Sequence, residues 1–239
     1  DKDSVEEVIV TGSYLKGRAV DGAFPVEVIS RDTMENLGAT TIADIIRNIA
    51  IDSGSENNAD SFTSGSTQGS SSVNLRGLGL SSTLVLFDGK RNTIAAQTAN
   101  DGSVFVDTNS LPVNIIERVE VLKEGAASVY GSDAVAGVVN YIFRRDFTGF
   151  EVNASQQKTD VGSQTDNRLS FLMGTEINDA NVVVSLSSLN RSPLPGTAIP
   201  EYAQLGISSF GSSFLIYPPA ALADLTPDQY VTSVADGPY

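Results

Sequence analysis

At Phe147 the hydrophobic pattern of this chain changes period, and that change limits what the chain can fold into. Beyond it, Phe150 to Gln157, Arg168 to Glu176 and Val182 to Leu189 are segments of about ten residues with broad apolar–polar alternation. Phe150, Val152 and Ala154 share one face, and Glu151, Asn153 and Ser155 share the other. Leu169, Phe171 and Met173 repeat the alternation. Segments of this kind, joined by polar turns, suit the strands of a membrane β-barrel. The same pattern suits a soluble antiparallel sheet equally well. No stretch approaches the roughly 20 apolar residues of a membrane helix. The most apolar one, Ala134 to Phe143, is too short and is broken by Asn140. A membrane role is therefore expected through strands alone.

Before Phe147 the chain reads as mixed α and β. The first 22 residues are mostly polar around one β-branched patch, Val8-Ile9-Val10, and read as a flexible arm. Pro25 precedes a short strand, Val26 to Ile29. Ser30 is placed to cap a helix through Asn36 that Gly38 ends. Thr41 and Asp44 have capping-box spacing, and Ile42, Ile45, Ile46 and Ile49 follow as one helical stripe, the pattern of core packing. A polar stretch from Asp52 to Ser72 is longer than the loops of most compact domains. Strands are expected at Ser72 to Arg76 and at Thr83 to Phe87, the latter ending in the turn pair Asp88-Gly89. A second polar loop runs from about Thr93 to Asp107. Pro112 opens a predicted short helix through Glu117, and Arg118 to Lys123 follows with Val119 and Val121 on one face. Ala126 to Tyr130 suits a short helix, and Val138 to Phe143 a strand closed by Arg144-Arg145. The tail from Ser192 to Tyr239 holds most of the prolines and reads as a long loop.

Composition removes several function classes. The 239 residues contain no cysteine and no histidine. A disulfide scaffold, a thiolate metal site and every Ser-His-Asp arrangement are thereby excluded. The net charge of -14 opposes binding to a phosphate backbone, so no nucleic-acid partner is expected. Ser13-Tyr14-Leu15-Lys16 fits a Ser-x-x-Lys pattern but lacks the motifs that accompany it in penicillin-recognising enzymes. Asp101-Gly102 with Asp107 and Asn109 lacks the spacing of a calcium loop. Arg76-Gly77-Leu78-Gly79 lacks the third glycine and the helix of a dinucleotide fingerprint.

Three stretches then align in order. Val73-Asn74-Leu75-Arg76-Gly77-Leu78-Gly79 is followed by Leu84-Val85-Leu86-Phe87-Asp88-Gly89-Lys90-Arg91. Ile116-Glu117-Arg118-Val119-Glu120-Val121-Leu122 leads to Gly125-Ala126-Ala127-Ser128-Val129-Tyr130-Gly131. Ser132-Asp133-Ala134-Val135-Ala136-Gly137-Val138-Val139-Asn140 continues directly. Together, over roughly residues 5 to 146, they resemble the plug of TonB-dependent outer-membrane receptors. Many members of that family carry Gly-Pro where this chain has Gly125-Ala126, and Pro-Gly where it has Ala50-Ile51, differences expected to alter loop geometry.

The resemblance implies an α+β plug, a small mixed sheet with short helices, followed by antiparallel strands of an incomplete transmembrane β-barrel. It divides the chain into an arm at 1–22, a plug at 23–146 and first barrel strands with a long loop at 147–239. Glu7-Val8-Ile9-Val10-Thr11-Gly12 resembles the TonB box, an extended segment able to add as a strand to a partner's sheet edge. In the family, arginines matching Arg76 and Arg118 face carboxylates of the barrel wall and hold the plug. Glu120 is expected to need a partner if buried. Gly77, Gly89, Gly125 and Gly131 are expected at turns, and Tyr130 to lay its ring on the sheet; Asp88, Gly137 and Asn140 complete the plug motifs. Loops 54–71 and 93–107 correspond to those that touch substrate, with Gln68, Gln97, Asn100 and Asp101 as candidate contacts.

The implied function is active import across the bacterial outer membrane, powered by TonB and its inner-membrane complex, with no catalytic residue, no metal and no cofactor. The hydroxyls and amides of the polar loops point toward a neutral polar substrate such as an oligosaccharide; ferric siderophores and cobalamin are the alternatives. A plugged transporter barrel has about 22 strands, whereas three are visible here. Three strands leave two open edges, which lipid does not tolerate, so the chain is expected to be part of a larger barrel. A soluble plug-like binding module is the rival reading. An enzyme using Asp88 and Glu120 lacks a paired geometry.

Overall fold

The computed structural model describes residues 26–53, 67, 69–99, 101–123, 127–160, 164–178 and 180–193. The predicted arm with the segment Glu7 to Gly12, the tail beyond 193, Gln68, Asn100 and Gly125 lie outside the described residues.

The first half builds a five-stranded mixed sheet. Its strands are β1 (Val26–Ser30), β2 (Thr83–Phe87), β3 (Lys90–Arg91), β4 (Ile116–Leu122) and β5 (Gly137–Phe143), in the spatial order β1-β4-β5-β2-β3. β4 runs antiparallel to both β1 and β5, and β2 runs parallel to β5. The parallel pair needs a long crossover, and the chain supplies it between Asp88 and Ala136, placing β4 within it. Strand alternation sorts the apolar residues into two layers. Ile29, Val85, Val119, Val121, Val139 and Tyr141 face one cluster, while Leu84, Leu86, Leu122 and Val138 face a second. Burial, and then the negative charge of Asp52, push the phenol of Tyr141 above its ordinary range.

Two short helices close the larger cluster. Helix α1 (Arg31–Asn36) starts at Ser30, whose Oγ accepts from Thr33 N at 3.2 Å. Helix α2 (Ile42–Ile46) starts with the predicted capping box. Thr41 Oγ1 accepts from Asp44 N at 3.1 Å, and Asp44 Oδ2 accepts from Thr41 N at 2.8 Å. A helix this short has little stability of its own. What holds it is the stripe of Ile42, Ile45, Ile46 and Ile49, all buried in the core; each such side chain contributes roughly 1.5–3 kcal/mol on full burial.

Two expected elements differ. Residues 72–76 form no strand; they make one isolated bridge, Asp52 to Leu75. Their backbone groups are satisfied otherwise: Asn74 N donates to Asp52 Oδ1, Leu75 N to Thr83 Oγ1 and Arg76 N to Ile51 O. Arg76 at φ 59 and Gly77 at φ 66 then turn the chain out of the extended region. The helix expected from Pro112 to Glu117 is a single 3-10 turn, Val113–Ile115, because Ile116 is already the first, fully buried residue of β4. A third helix, α3 (Ala127–Tyr130), lies where it was expected, and the Tyr130 ring packs on the second cluster.

After residue 148 three long strands form a separate antiparallel sheet: β6 (Gly149–Lys158), β7 (Thr165–Ile177) and β8 (Ala180–Arg191), in that order. One face is apolar and exposed. It carries Phe150, Val152, Leu169, Met173, Val182 and Leu186, with the Phe150 and Phe171 rings in edge contact at 5.1 Å. The other face includes Ser170 and Leu172, both buried.

The capping box gives a direct test. Thr41→Ala should destabilise the protein by about 1 kcal/mol in thermal or denaturant unfolding. Burial is the largest influence on Asp44 and opposes its ionisation, but donors from Thr41 and Thr40 together outweigh it and hold the carboxyl below its ordinary range. A depressed folded value contributes stability above the ordinary aspartate value of about 3.9, lost as pH falls through the folded value. The Tm gap between wild type and Asp44→Asn should therefore be full at neutral pH and shrink in acid below about pH 4.

Candidate functional site: the joint between the mixed sheet and the long strands

The two sheets meet at the dipeptide that ends β5. Arg144 and Arg145 are neighbours in sequence whose side chains serve different elements. Arg144 Nη1 donates to Glu151 Oε2 on β6 at 2.8 Å, and its guanidinium lies 4.2 Å from the centre of the Phe147 ring. Arg145 Nε donates to Asp88 Oδ2 at 2.6 Å, returning to the β2–β3 hairpin. The other oxygen of Glu151 accepts from Arg31 Nη2 at 3.0 Å and from Asn153 Nδ2 at 2.7 Å. Arg31 also donates from Nη1 to Ile116 O at 3.3 Å. One carboxylate of the long-strand sheet thus binds two arginines of the first sheet. The side chains are only 12% exposed for Arg144, 23% for Arg31 and 25% for Glu151, so these pairs are less screened than surface ones.

Backbone contact reinforces the charges. A Cβ on Gly174 of β7 would lie 1.9 Å from Phe147 O. Only glycine lets the connector seat there. Asn114 adds a polar bridge: its Nδ2 donates to Phe171 O at 3.0 Å, and its Oδ1 accepts from Ser185 Oγ at 2.9 Å. Beside the joint is an open cleft of about 390 Å3, lined by Ile115, Phe143, Arg144, Asp146, Asn181 and Val183.

The plug motifs named from sequence lie at both ends of the first sheet, Asp88 and Gly89 at the joint end and Gly137 at the other. Asp88 at φ 56 and Gly89 at φ 75 make the hairpin turn, Asp88 N donates to Tyr141 O, and Gly89 N donates to Asn140 Oδ1 at 2.9 Å. Arg91 from β3 donates to Tyr130 O and to Asp133 Oδ2, fixing the segment around Gly131. Gly137 lies so close to β4 that a Cβ would meet Leu122 O at 2.6 Å.

The predicted arginines behave differently from each other. Arg118 Nε donates to Glu120 Oε1 at 2.8 Å, so the fully buried carboxylate of Glu120 is paired within its own strand. Arg76 is exposed at the turn after the Asp52–Leu75 bridge. Arg31, Arg144 and Glu151, which do make the joint, were not singled out from sequence. The available signal was a carboxylate on the polar face of an alternating strand a few residues after a basic pair.

In the second polar loop, Ala95 N donates to Phe105 O and Ala99 N to Ser103 O, which folds it back on itself. Donors from Ser103, the backbone N–H first and then the hydroxyl, hold the Asp101 carboxyl below its ordinary range. Gln97 is half-buried in the same loop. Asp107 caps a turn by accepting from Asn109 N.

The joint should behave as one coupled unit. Glu151→Gln, Arg31→Gln and Arg144→Gln should each lower the denaturation temperature. Double variants with Glu151→Gln should lose less than the sum, with a coupling of about 0.5–3 kcal/mol. Strict additivity would dissolve the unit into unrelated surface pairs.

Comparison with known proteins agrees with this architecture. The family model of the TonB-dependent receptor plug domain matches residues 18–138. Among solved structures, the chain is similar to a variant of the ferric enterobactin receptor PfeA from Pseudomonas aeruginosa, with 24% identity and a TM-score of 0.53 over 71% of this chain and 25% of that one. It is similar to the siderophore receptor PirA from Acinetobacter baumannii, with 26% identity and a TM-score of 0.50 over 70% of this chain and 24% of that one. It is also similar to the ferric citrate transporter FecA, with 22% identity and a TM-score of 0.56 over 72% of this chain and 26% of that one. The chain thus spans about a quarter of the length of each. With the plug-domain model matched over just more than half of its length, and a mixed sheet followed by long antiparallel strands, this chain belongs to the TonB-dependent receptor plug family.

Proposed function

We propose that this chain gates and couples an importer of ferric chelates in a bacterial outer membrane. The arm is 1–22, the plug 23–146, and 147–239 begin the barrel. The observation that carries this reading is the attachment of a plug-family sheet to the inner face of β6 through Arg31 and Arg144 on Glu151. A plug that must stay seated while the rest of it moves needs a fixed end, and this joint supplies one. The exposed apolar face of β6, β7 and β8 suits lipid, which favours a barrel wall over a soluble sheet.

In this mechanism, substrate settles on the external loops of the plug, including Gln68, Gln97, Asn100 and Asp101. The segment Glu7 to Gly12 then pairs as a strand with TonB in the periplasm. Force on the arm rearranges the plug, and the substrate passes between plug and wall. Arg76 and Arg118 are further proposed contacts with the parts of the wall that this chain does not include. Nothing in the cycle changes a covalent bond of the substrate, so no residue is assigned a catalytic role.

The polar loops alone point to a glycan. The solved receptors that the chain resembles are instead named for ferric enterobactin, siderophores and ferric citrate, and that supports an iron chelate.

The test is uptake by cells that depend on the full-length protein. Ferric enterobactin or ferric citrate should enter and maltodextrin should not; the reverse result would return the substrate to the glycan class. Ile9→Pro removes a backbone N–H and fixes φ in the coupling segment, so it should abolish uptake while leaving surface binding intact. Uptake that persists in that variant would remove the segment from the coupling role.

A further inference from the structure

The two polar loops, read from sequence as separate, are fastened to each other at their bases. Asp107, at the end of the second loop, accepts from Ser71 N through Oδ1 at 3.0 Å, and the same oxygen caps Asn109 N at 3.0 Å. Thr108 donates to Ser71 O twice, from its backbone N at 2.8 Å and from Oγ1 at 3.0 Å. Asn109 Nδ2 donates to Gly69 O at 2.8 Å. Every described backbone group of Ser71 is therefore held by the second loop. The contacts are not surface decoration, since Thr108 and Ser71 are almost completely buried, as are Thr67, Ser70 and Ser72 beside them.

The fastening continues inward. Three residues after Ser71, Asn74 N donates to Asp52 Oδ1 at 3.0 Å, and Leu75 N donates to Thr83 Oγ1 at the start of β2. Asp52 bridges Leu75 and lies at the other end of the first loop. On the second loop's side, Val104 N donates to Ser81 Oγ at 3.2 Å. Both loop bases thus meet at the same few residues above β2. A charge-assisted acceptor such as the half-buried Asp107 carboxylate makes one of the stronger hydrogen bonds available.

We propose that Asp107 and Thr108 are positioning residues that clasp 69–71 to the base of the second loop, so that both loops move as one unit and contact at either is delivered to Asp52 and β2. That the loops meet substrate rests on the transport reading above; the clasp itself does not. Two loops that order independently each cost conformational entropy on binding. Clasped loops share that cost, and the first contact organises the second.

The experiment is hydrogen–deuterium exchange on the full-length protein without ligand, so that a wrong substrate assignment leaves it intact. Peptides covering 67–75 and 93–106 are read, neither of which contains a substituted residue. Asp107→Ala should accelerate exchange in both by about tenfold or more, as expected for loss of a hydrogen bond to a charged group. Asp107→Asn keeps an oxygen acceptor for Ser71 N and should stay within about threefold of wild type. Asn109→Ala, at an exposed site, should give a smaller acceleration in both peptides and serves if Asp107→Ala fails to assemble. Acceleration confined to 67–75, with 93–106 unchanged in both alanine variants, would overturn the proposal, because the loops would then move separately.

Discussion

A carboxylate on a barrel strand can point to lipid, to water or to the plug, and only the last lets it act as a fastener. Glu151 follows Phe150 and precedes Val152, both on the exposed apolar face. The period of two in a strand therefore sends Glu151 to the opposite side, where Arg31 and Arg144 meet it. Moving the strand by one residue would send Glu151 into the apolar face and Phe150 against the arginines, a double loss that fixes the register. Beside that contact, Phe147 seats on Gly174, Arg144 stacks on Phe147 and Arg145 returns to Asp88.

The same economy of partners recurs inside the plug sheet. Glu120 is fully buried on a central strand, where an unpaired charge costs several kcal/mol. Arg118, two residues earlier on the same face, supplies the pair. Asn140, opposite Glu120 across β4 and β5, spends its side-chain oxygen on the Gly89 amide at the hairpin tip. Polar residues buried in this sheet thus hold turns and neighbours in place.

Much of this was legible in the sequence because it is local. The Ser30 and Thr41 caps, the isoleucine stripe, the Asp88-Gly89 turn and the three long strands each rest on residues within a turn or a strand length of one another. Residues 72–76 misled because their alternating look says nothing about which donors and acceptors lie nearby. Asp52, Thr83 and Ile51 take the amides of Asn74, Leu75 and Arg76 from outside the segment. The helix expected after Pro112 failed for a related reason: local propensity favoured a helix, but Ile116 is worth more buried in β4 between β1 and β5. Only the Arg144–Glu151 half of the joint is local; Arg31 and Glu151 are 120 residues apart, and no local pattern records such a pair.

The division of labour between the two arginines explains why a basic pair, and not a single residue, ends the plug. Arg144 binds the strand sheet and Arg145 binds the hairpin of the mixed sheet, so the peptide between them is the shortest link that both sheets hold. Arg31 holds the same carboxylate from helix α1, and Asn114 bridges to Phe171 and Ser185, so the link is held against rotation as well as sliding. Arginine suits this better than lysine, since its planar fork can grip a carboxylate and stack on a ring at once; Arg144 does both. The last strand of the mixed sheet is thereby fixed to the first of the long strands, at the end of the sheet opposite the start of β2, where the described bases of the polar loops lie.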